Sequence, residues 1–256
     1  MNDSQFRPGG FSLLPLVVKN LLIINGLAFL AILAFKNVLN LDLNEMYGLY
    51  YVGSDLFKPY QFITYMFLHG NFTHLFFNMF AFWMFGNTIE NFWGPKRFII
   101  YYFATGIGAA IIHQLVMHFE AQSVINGLIQ NGVNQEAINE MIATGKCNPD
   151  ILAFMDKDKL FTLYSIYNVP TVGASGSVYG ILLAFGMLFP NALIYLYFAI
   201  PIRAKWLVIG YGALELWSGL SATPGDNVAH FAHLGGMIFG FILIKFWNRK
   251  KLNRWN

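Results

Sequence analysis

A serine flanked by glycines opens an apolar stretch, PTVGASGSVYGILLAFG, which covers residues 170–186. Glycine lowers helix stability, and a hydroxyl group that enters hydrocarbon needs a hydrogen-bond partner, so this pattern carries a cost. Ser175 is therefore either a small residue on a close helix-packing surface or a nucleophile. Tyr179 follows Ser175 by four residues on the same helix face, where its ring can lie against an imidazole and fix the orientation of that imidazole.

Histidine and asparagine residues open two other apolar stretches. His74 and Asn78 share one helix face in LHGNFTHLFFNMF, and His230 and His233 both lie in AHFAHLGGMIFG. Ionisable and amide groups inside apolar helices are costly, which makes them candidate functional groups. A serine with a histidine base is a minimal nucleophile, and His and Asn side chains can donate hydrogen bonds to an oxyanion. The same side chains could instead satisfy buried backbone groups.

The composition is typical of a helical membrane protein. Of the 256 residues, 56% are hydrophobic and only 11% are charged, and the mean hydropathy is +0.49. The formal net charge of +3 is small and the basic residues cluster at the ends of segments, which argues against nucleic-acid binding. The single cysteine, Cys147, cannot form an intramolecular disulfide.

Six apolar runs predict an all-α polytopic membrane protein with one domain over residues 1–256. The runs are residues 15–35, 72–88, 98–119, 177–189, 206–220 and 231–247. Residues 120–168 form a polar insert between the third and fourth runs, which we expect outside the membrane. Lys and Arg concentrate on one side of this arrangement, so the positive-inside bias places both termini in the cytoplasm and residues 221–228 outside.

The fourth run is too short to cross a membrane. Between Ser175 and Pro190, where proline stops the helix, about 15 residues span roughly 22 Å of a hydrocarbon core ~30 Å thick. With its cytoplasmic end at the interface, the helix places Ser175 below the outer surface. Residues 167–173 must then enter as irregular backbone that lines a water-filled cavity. The sequence therefore predicts a sunken, outward-opening site at a helix N-terminus, where an anion is favoured.

Small residues on two of the predicted helices would bring the serine and a histidine together. They recur at four-residue spacing, as Gly176, Gly180 and Ala184 on the fourth helix and as Gly236 and Gly240 on the sixth. Small residues at this spacing let membrane helices approach closely. The sixth helix would thereby carry His233 towards Ser175.

These motifs resemble those of the rhomboid intramembrane serine proteases. The matching pieces are His69-x4-His74-x3-Asn78, Gly173-Ala-Ser175-Gly176 with Tyr179, and Ala232-His233-x2-Gly236-x3-Gly240. The segment FGNTIENFWGPKRFIIYYFATG also looks like the family's junction between helices two and three. The resemblance covers residues 59–248 apart from the insert, and it implies a six-helix bundle whose short fourth helix carries the serine.

The resemblance implies that Ser175 is the nucleophile and His233 the general base. It implies a Ser/His dyad with no acidic partner. His74, Asn78 and the Ser175 N–H would line an oxyanion hole, with Tyr179 and the motif glycines Gly173, Gly176, Gly236 and Gly240 in support. The substrates would be transmembrane segments of other proteins, cut near their outer ends. No cofactor, metal or nucleic acid is implied, and the expected location is a bacterial inner membrane.

Two alternative functions remain open. A catalytically inactive rhomboid-like protein would bind membrane proteins without cutting them, although such proteins lose the serine or the histidine that this chain retains. A histidine-based metal-dependent membrane protein could use four histidines, His69, His74, His230 and His233. No HExxH motif occurs, however, and the carboxylates that accompany metal-binding histidines are missing from those runs.

Two further positions carry their own expectations. Where many rhomboids have a Trp-Arg pair in the first loop, this chain has Tyr60-Gln61, so a structural role for that arginine is not carried over. Glu215 lies inside the fifth apolar run, where a carboxylate is unusual. We expect Glu215 to hydrogen-bond a neighbouring helix or loop.

Overall fold

The computed structural model describes residues 12–146, 149–196, 199–221 and 229–252, and within these ranges the chain is mostly helical. The helices are α1 (Leu16–Leu39), α2 (Leu43–Tyr47), α3 (Gln61–Thr64), α4 (Phe72–Trp93), α5 (Pro95–Gln130), α6 (Gln135–Thr144), α7 (Pro149–Phe154), α8 (Lys157–Asn168), α9 (Ser175–Leu188), α10 (Ala204–Ser221) and α11 (His230–Leu252). Strands β1 (Leu193–Leu196) and β2 (Ile200–Arg203) form an antiparallel hairpin. Cys147 and most of the predicted outer connector at 221–228 lie outside the described residues.

Three of the described helices are long and apolar enough to cross a membrane, namely α1, α5 and the part of α11 from His230 to Asn248. The chain is therefore a multi-pass membrane protein. The other predicted spans are helical too, as α4, α9 and α10. Buried polar residues such as Asn78 and Glu215 reduce the apolar character of α4 and α10, and α9 has only 14 residues. The count of six spans remains a prediction.

Helix α9 packs among α4, α5, α10 and α11, so its first turn is surrounded by protein. Hydrogen bonds to backbone carbonyls hold it against α5. The Tyr101 hydroxyl donates to Gly180 O at 2.8 Å, and the Ser177 hydroxyl donates to Tyr102 O at 2.8 Å. These donors would otherwise be unpaired in an apolar interior, and pairing them across the interface locks the two helices together.

The closest approach in the bundle is between α9 and α11. A β-carbon at Gly236 would overlap the carbonyl oxygen of Gly176, and a β-carbon at Gly176 would overlap Ala109 on α5. On the next turn, a β-carbon at Gly240 would overlap the Tyr101 hydroxyl. Small residues therefore bring the backbones of α9 and α11 together at Gly176 and Gly236. Gly180 and Gly240, which we expected at the same interface, instead face Thr105 and Tyr101 of α5.

Buried polar side chains fix the loops and helix ends around this bundle. Gln61 is 1% exposed, and its amide oxygen accepts hydrogen bonds from Lys58 N at 3.0 Å and Tyr50 N at 3.3 Å. Gln61 thus braces the first loop itself, without an arginine at that position. At the opposite end of α4, Glu90 accepts hydrogen bonds from the N–H groups of Val17 and Val18 at 2.9 and 2.8 Å. A carboxylate at these unpaired donors stabilises the start of α1.

The insert region has an apolar core of its own. Helix α5 runs on unbroken past residue 120, and α6 and α8 pack against its last turns. Their apolar sides meet in a second cluster of buried residues, which includes Leu128, Ile138, Met141, Leu160 and Leu163. The insert is therefore built from helices packed around a core, and its last helix leads directly into the segment before Ser175.

Replacing Gly236 with alanine is expected to lower the thermal stability of the protein in detergent. The added methyl group meets backbone, which cannot rotate away, and overpacking of this kind costs about 1–3 kcal/mol. Gly210→Ala on α10 is the matched control, because a β-carbon there meets nothing within 4 Å in the described part of the chain. Equal melting temperatures for the two variants would contradict the close approach.

Candidate active site

The segment that leads into α9 is held in an extended form. Leu49 and Thr171 exchange two backbone hydrogen bonds, at 2.9 and 2.8 Å, and the Thr171 hydroxyl lies 2.9 Å from Nε2 of His113. The N–H of Gly173 donates to Tyr65 O at 2.9 Å. Gly173 has φ of +135°, a conformation that side chains disfavour. This glycine turns the chain sharply so that Ser175 becomes the first residue of the helix.

Ser175 and His233 are in direct contact. The Oγ atom of Ser175 lies 2.8 Å from Nε2 of His233, although 58 residues separate them in sequence. The rings of Tyr179 and His233 are stacked, with centroids 4.2 Å apart and planes 7° apart. Stacking of this kind restricts rotation of the imidazole, so it keeps Nε2 directed at the hydroxyl.

His74 lies beside the mouth of the site. A β-carbon at Gly173 would stand 2.9 Å from Nε2 of His74 and 3.6 Å from Oγ of Ser175, so the imidazole and the hydroxyl flank this glycine. Asn78 is buried, and its amide donates to the carbonyl of His74 at 2.9 Å. His69 is fully buried, and its ring lies edge-on to that of His74 with centroids 5.1 Å apart. The structure thus brings His74 next to Ser175, with Asn78 and His69 around it.

A carboxylate stands behind His233. The Oε2 atom of Glu215 on α10 lies 3.0 Å from Nδ1 of His233, within ion-pair distance although off the direction of a linear hydrogen bond. The expectation that this histidine has no acidic partner is therefore wrong. The same Oε2 atom lies 2.6 Å from Nδ1 of His230, and the Tyr179 hydroxyl donates to Oε1. The expectation that Glu215 hydrogen-bonds a neighbouring helix is confirmed.

The sequence offered only a partial signal for this carboxylate. Glu215 is the single acid inside the fifth apolar run, which marks it as unusual. No sequence motif on α10 indicates which face of the helix points towards His233. The sequence of the connector between α10 and α11 does not fix how the two helices align along their length. Which face of α10 meets the imidazoles follows only from the packed structure.

Three side chains of this cluster offer donor atoms of the kinds that bind metal ions. One atom each from Glu215, His230 and His233 lies within 4.8 Å of the others. In a tetrahedral zinc site with bonds of about 2.0 Å, neighbouring ligand atoms stand about 3.3 Å apart. The carboxylate–imidazole distances of 2.6 and 3.0 Å are shorter, so protons fit between these atoms better than a cation does.

Comparison with known proteins agrees with the motifs. The model of the rhomboid domain matches residues 56–133 and 150–249, which is more than half of the chain. The chain belongs to the rhomboid family. The matched residues include Ser175, Tyr179, Glu215 and His233, and only residues 134–149 of the insert lie in the gap between the two matched segments.

This rhomboid is also similar to a plant protein. It is 29% identical over 177 residues to RHOMBOID-like protein 12, mitochondrial, from Arabidopsis thaliana. The match covers 68% of this chain but only 42% of that relative, so the chain spans less than half of the relative's length. The expected bacterial membrane and cytoplasmic termini remain predictions.

Cysteine labelling tests whether Ser175 faces a water-filled cavity. In a Cys147→Ser background, Ser175→Cys is expected to react with a small methanethiosulfonate reagent added from outside, and only poorly with a bulky maleimide. Ser177→Cys is the matched control on the same helical turn, because Ser177 is 1% exposed and faces α5. Labelling from the cytoplasmic side, or equal rates at both positions, would mean that the site does not open outwards.

Proposed function

We propose that this rhomboid is an intramembrane serine endopeptidase that cleaves transmembrane segments of other membrane proteins near their outer ends. The observation that carries the proposal is the contact of 2.8 Å between Oγ of Ser175 and Nε2 of His233 at the start of a short apolar helix. A serine hydroxyl that is hydrogen-bonded to an imidazole of fixed orientation has the arrangement needed to become a nucleophile.

The reaction follows from the atoms in contact. Nε2 of His233 takes the hydroxyl proton as Oγ of Ser175 attacks the scissile carbonyl carbon, which forms a tetrahedral oxyanion. When the C–N bond breaks, Nε2 returns that proton to the leaving amine and an acyl-enzyme remains on Ser175. A water molecule activated by the same imidazole then hydrolyses the ester and regenerates the serine.

The oxyanion has two kinds of donor near Ser175. The N–H groups at the start of α9 lack acceptors within their own helix, and the helix dipole favours negative charge there. His74 lies on the other side of Gly173, in reach of the same space. We assign His74, Asn78 and the Ser175 N–H as donors to the oxyanion.

The substrate class follows from the environment of the serine. Ser175 begins a helix whose 14 residues extend about 21 Å, less than the ~30 Å of a hydrocarbon core. With the far end of this helix at one membrane interface, Ser175 would lie below the other interface and meet segments that are themselves in lipid. A peptide bond inside a helix has its carbonyl engaged and surrounded, so the segment must unwind locally before Ser175 can attack. We therefore expect helix-destabilising residues near the cleaved bond.

Substitution of the two reacting residues tests the proposal. Ser175→Ala and His233→Ala are each expected to reduce cleavage of a single-span substrate to background, and the double variant is expected to be no worse, because the two residues act as one unit. Ser177→Ala is the matched control. It removes a buried hydroxyl that bonds only Tyr102 O among the contacts described, at a cost of about 1 kcal/mol, and should keep its activity. Substantial turnover by folded Ser175→Ala would refute serine catalysis.

Inhibitor chemistry separates a serine enzyme from a metal-dependent one and from an inactive binder. A fluorophosphonate that enters the cavity is expected to add to Ser175, which mass spectrometry of the intact protein and of its peptides detects. Labelling should be lost in His233→Ala, since the hydroxyl is then not activated. Chelators should leave turnover unchanged. Turnover that a chelator abolishes and added zinc restores would favour the metal-dependent alternative.

A further inference from the structure

We propose that Glu215 is a positioning residue for His233, so that the site works as a Ser175–His233–Glu215 triad with His230 and Tyr179 holding the carboxylate. This inference rests on the proposed serine endopeptidase function and deepens it. It departs from the two-residue mechanism that the motifs imply, and it is carried by the contacts of one buried carboxylate with three ring side chains.

Both oxygens of Glu215 are engaged, and in different ways. Oε1 accepts from the Tyr179 hydroxyl, whose ring is the one stacked on His233. Oε2 faces two imidazoles, at 2.6 Å from Nδ1 of His230 and 3.0 Å from Nδ1 of His233. The carboxylate is thus anchored by hydrogen bonds to residues of two helices, and Nδ1 of the histidine that contacts Ser175 lies within ion-pair distance of it.

This geometry selects one tautomer of His233. The lone pair of an unprotonated Nδ1 would face a carboxylate oxygen 3.0 Å away and be repelled by it, so this contact favours the tautomer of His233 with the proton on Nδ1, although the contact is off the direction of a linear hydrogen bond. Nε2 is then unprotonated and presents its lone pair to the Ser175 hydroxyl at 2.8 Å. Without the carboxylate, the imidazole is free to adopt the tautomer in which Nε2 carries the proton, and that form cannot act as a base.

The charge of Glu215 also matters after the proton moves. When Nε2 of His233 takes the hydroxyl proton, the Nδ1 proton stays in place, so an imidazolium forms next to a carboxylate. Both side chains are about 10% exposed, where an ion pair is screened far less than at a surface. Glu215 therefore stabilises the charged intermediate as well as orienting the ring.

The surroundings leave this role to Glu215 alone among the groups that face the imidazole. Those groups come from every helix packed around it, and they are Ser175 and Tyr179 on α9, Glu215 on α10, His230 on α11, His74 on α4 and His113 on α5. Glu215 is the one acid among these described groups. The other histidines would repel an imidazolium if they were themselves charged, so removal of the carboxylate leaves no acid that faces the imidazole in the described part of the chain.

The first test is the rate–pH profile of Glu215→Gln on a cleaved substrate. We expect kcat to fall about 10²-fold with KM little changed, because the loss lies in proton transfer. The acid limb, where activity falls on acidification, should lie at lower pH in Glu215→Gln than in the wild-type protein, because the negative charge that favours an imidazolium is gone. Glu215→Asp keeps the charge and should retain the wild-type limb with intermediate kcat.

A matched control separates positioning from general stability. Glu90→Gln removes another buried carboxylate, one that bonds only the N–H groups of Val17 and Val18 in the described contacts. Glu90 is 16 residues along α4 from His74, about 24 Å along the helix axis. We expect Glu90→Gln to lower the melting temperature while its acid limb stays at the wild-type position. Rates are divided by the amount of folded protein that elutes as a single species in size-exclusion chromatography, so misfolded molecules do not count.

The second test needs no variant at Glu215 and no substrate. Nitrogen-15 NMR of histidine-labelled wild-type protein, with His233 assigned through His233→Gln, reports which ring nitrogen carries the proton. We expect neutral His233 to be protonated at Nδ1. A His233 protonated at Nε2, or a folded Glu215→Gln with wild-type kcat and an unmoved acid limb, would overturn the triad. Failure of the proteolytic function itself would appear separately, as an inactive wild-type protein or an active Ser175→Ala.

Discussion

The contact between Ser175 and His233 in this rhomboid depends on a backbone contact between two helices. Gly236 on α11 meets the carbonyl of Gly176 on α9, and no residue with a β-carbon fits at that point. His233 lies one turn before Gly236, and Ser175 is the neighbour of Gly176, so the contact that joins the helices also sets the distance between hydroxyl and imidazole. In a membrane no hydrophobic effect drives two apolar helices together, so close packing of small residues must do so.

Around that contact, buried polar groups of neighbouring helices are in contact with one another. The hydroxyl groups of Tyr101 and Ser177 donate hydrogen bonds to carbonyls across the α5–α9 interface. The carboxylate of Glu215 contacts three ring side chains, those of Tyr179, His230 and His233. Buried groups of this kind are costly when unpaired, so the network favours one arrangement of α9, α10 and α11 over others. The stability of the bundle and the orientation of the base thus have the same origin.

Most of the helices and the main contact of the site could be predicted from the sequence. Apolar runs located α1, α9 and α11, and the small residues at four-residue spacing indicated that α9 and α11 would meet, although Gly180 and Gly240 face α5. The carboxylate behind His233 could not be predicted, because its position depends on how α10 is rotated about its own axis. The change to polar composition at residue 120 did not mark the end of a helix. Helix α5 continues to Gln130 and buries Leu128 against α6 and α8. Composition reports solvent exposure, and a helix that leaves the membrane can stay helical when other helices cover it.

The most direct test of the account is to locate a cut. Purified protein in liposomes is incubated with a panel of single-span membrane proteins that carry helix-destabilising residues at different depths, and the products are identified by N-terminal sequencing. The account predicts cleavage within the outer part of the transmembrane segment, at or beside the destabilised position, and no cleavage by Ser175→Ala. Cleavage only in the extramembrane parts of these proteins, or no cleavage of any of them by protein whose Ser175 reacts with a fluorophosphonate, would contradict it.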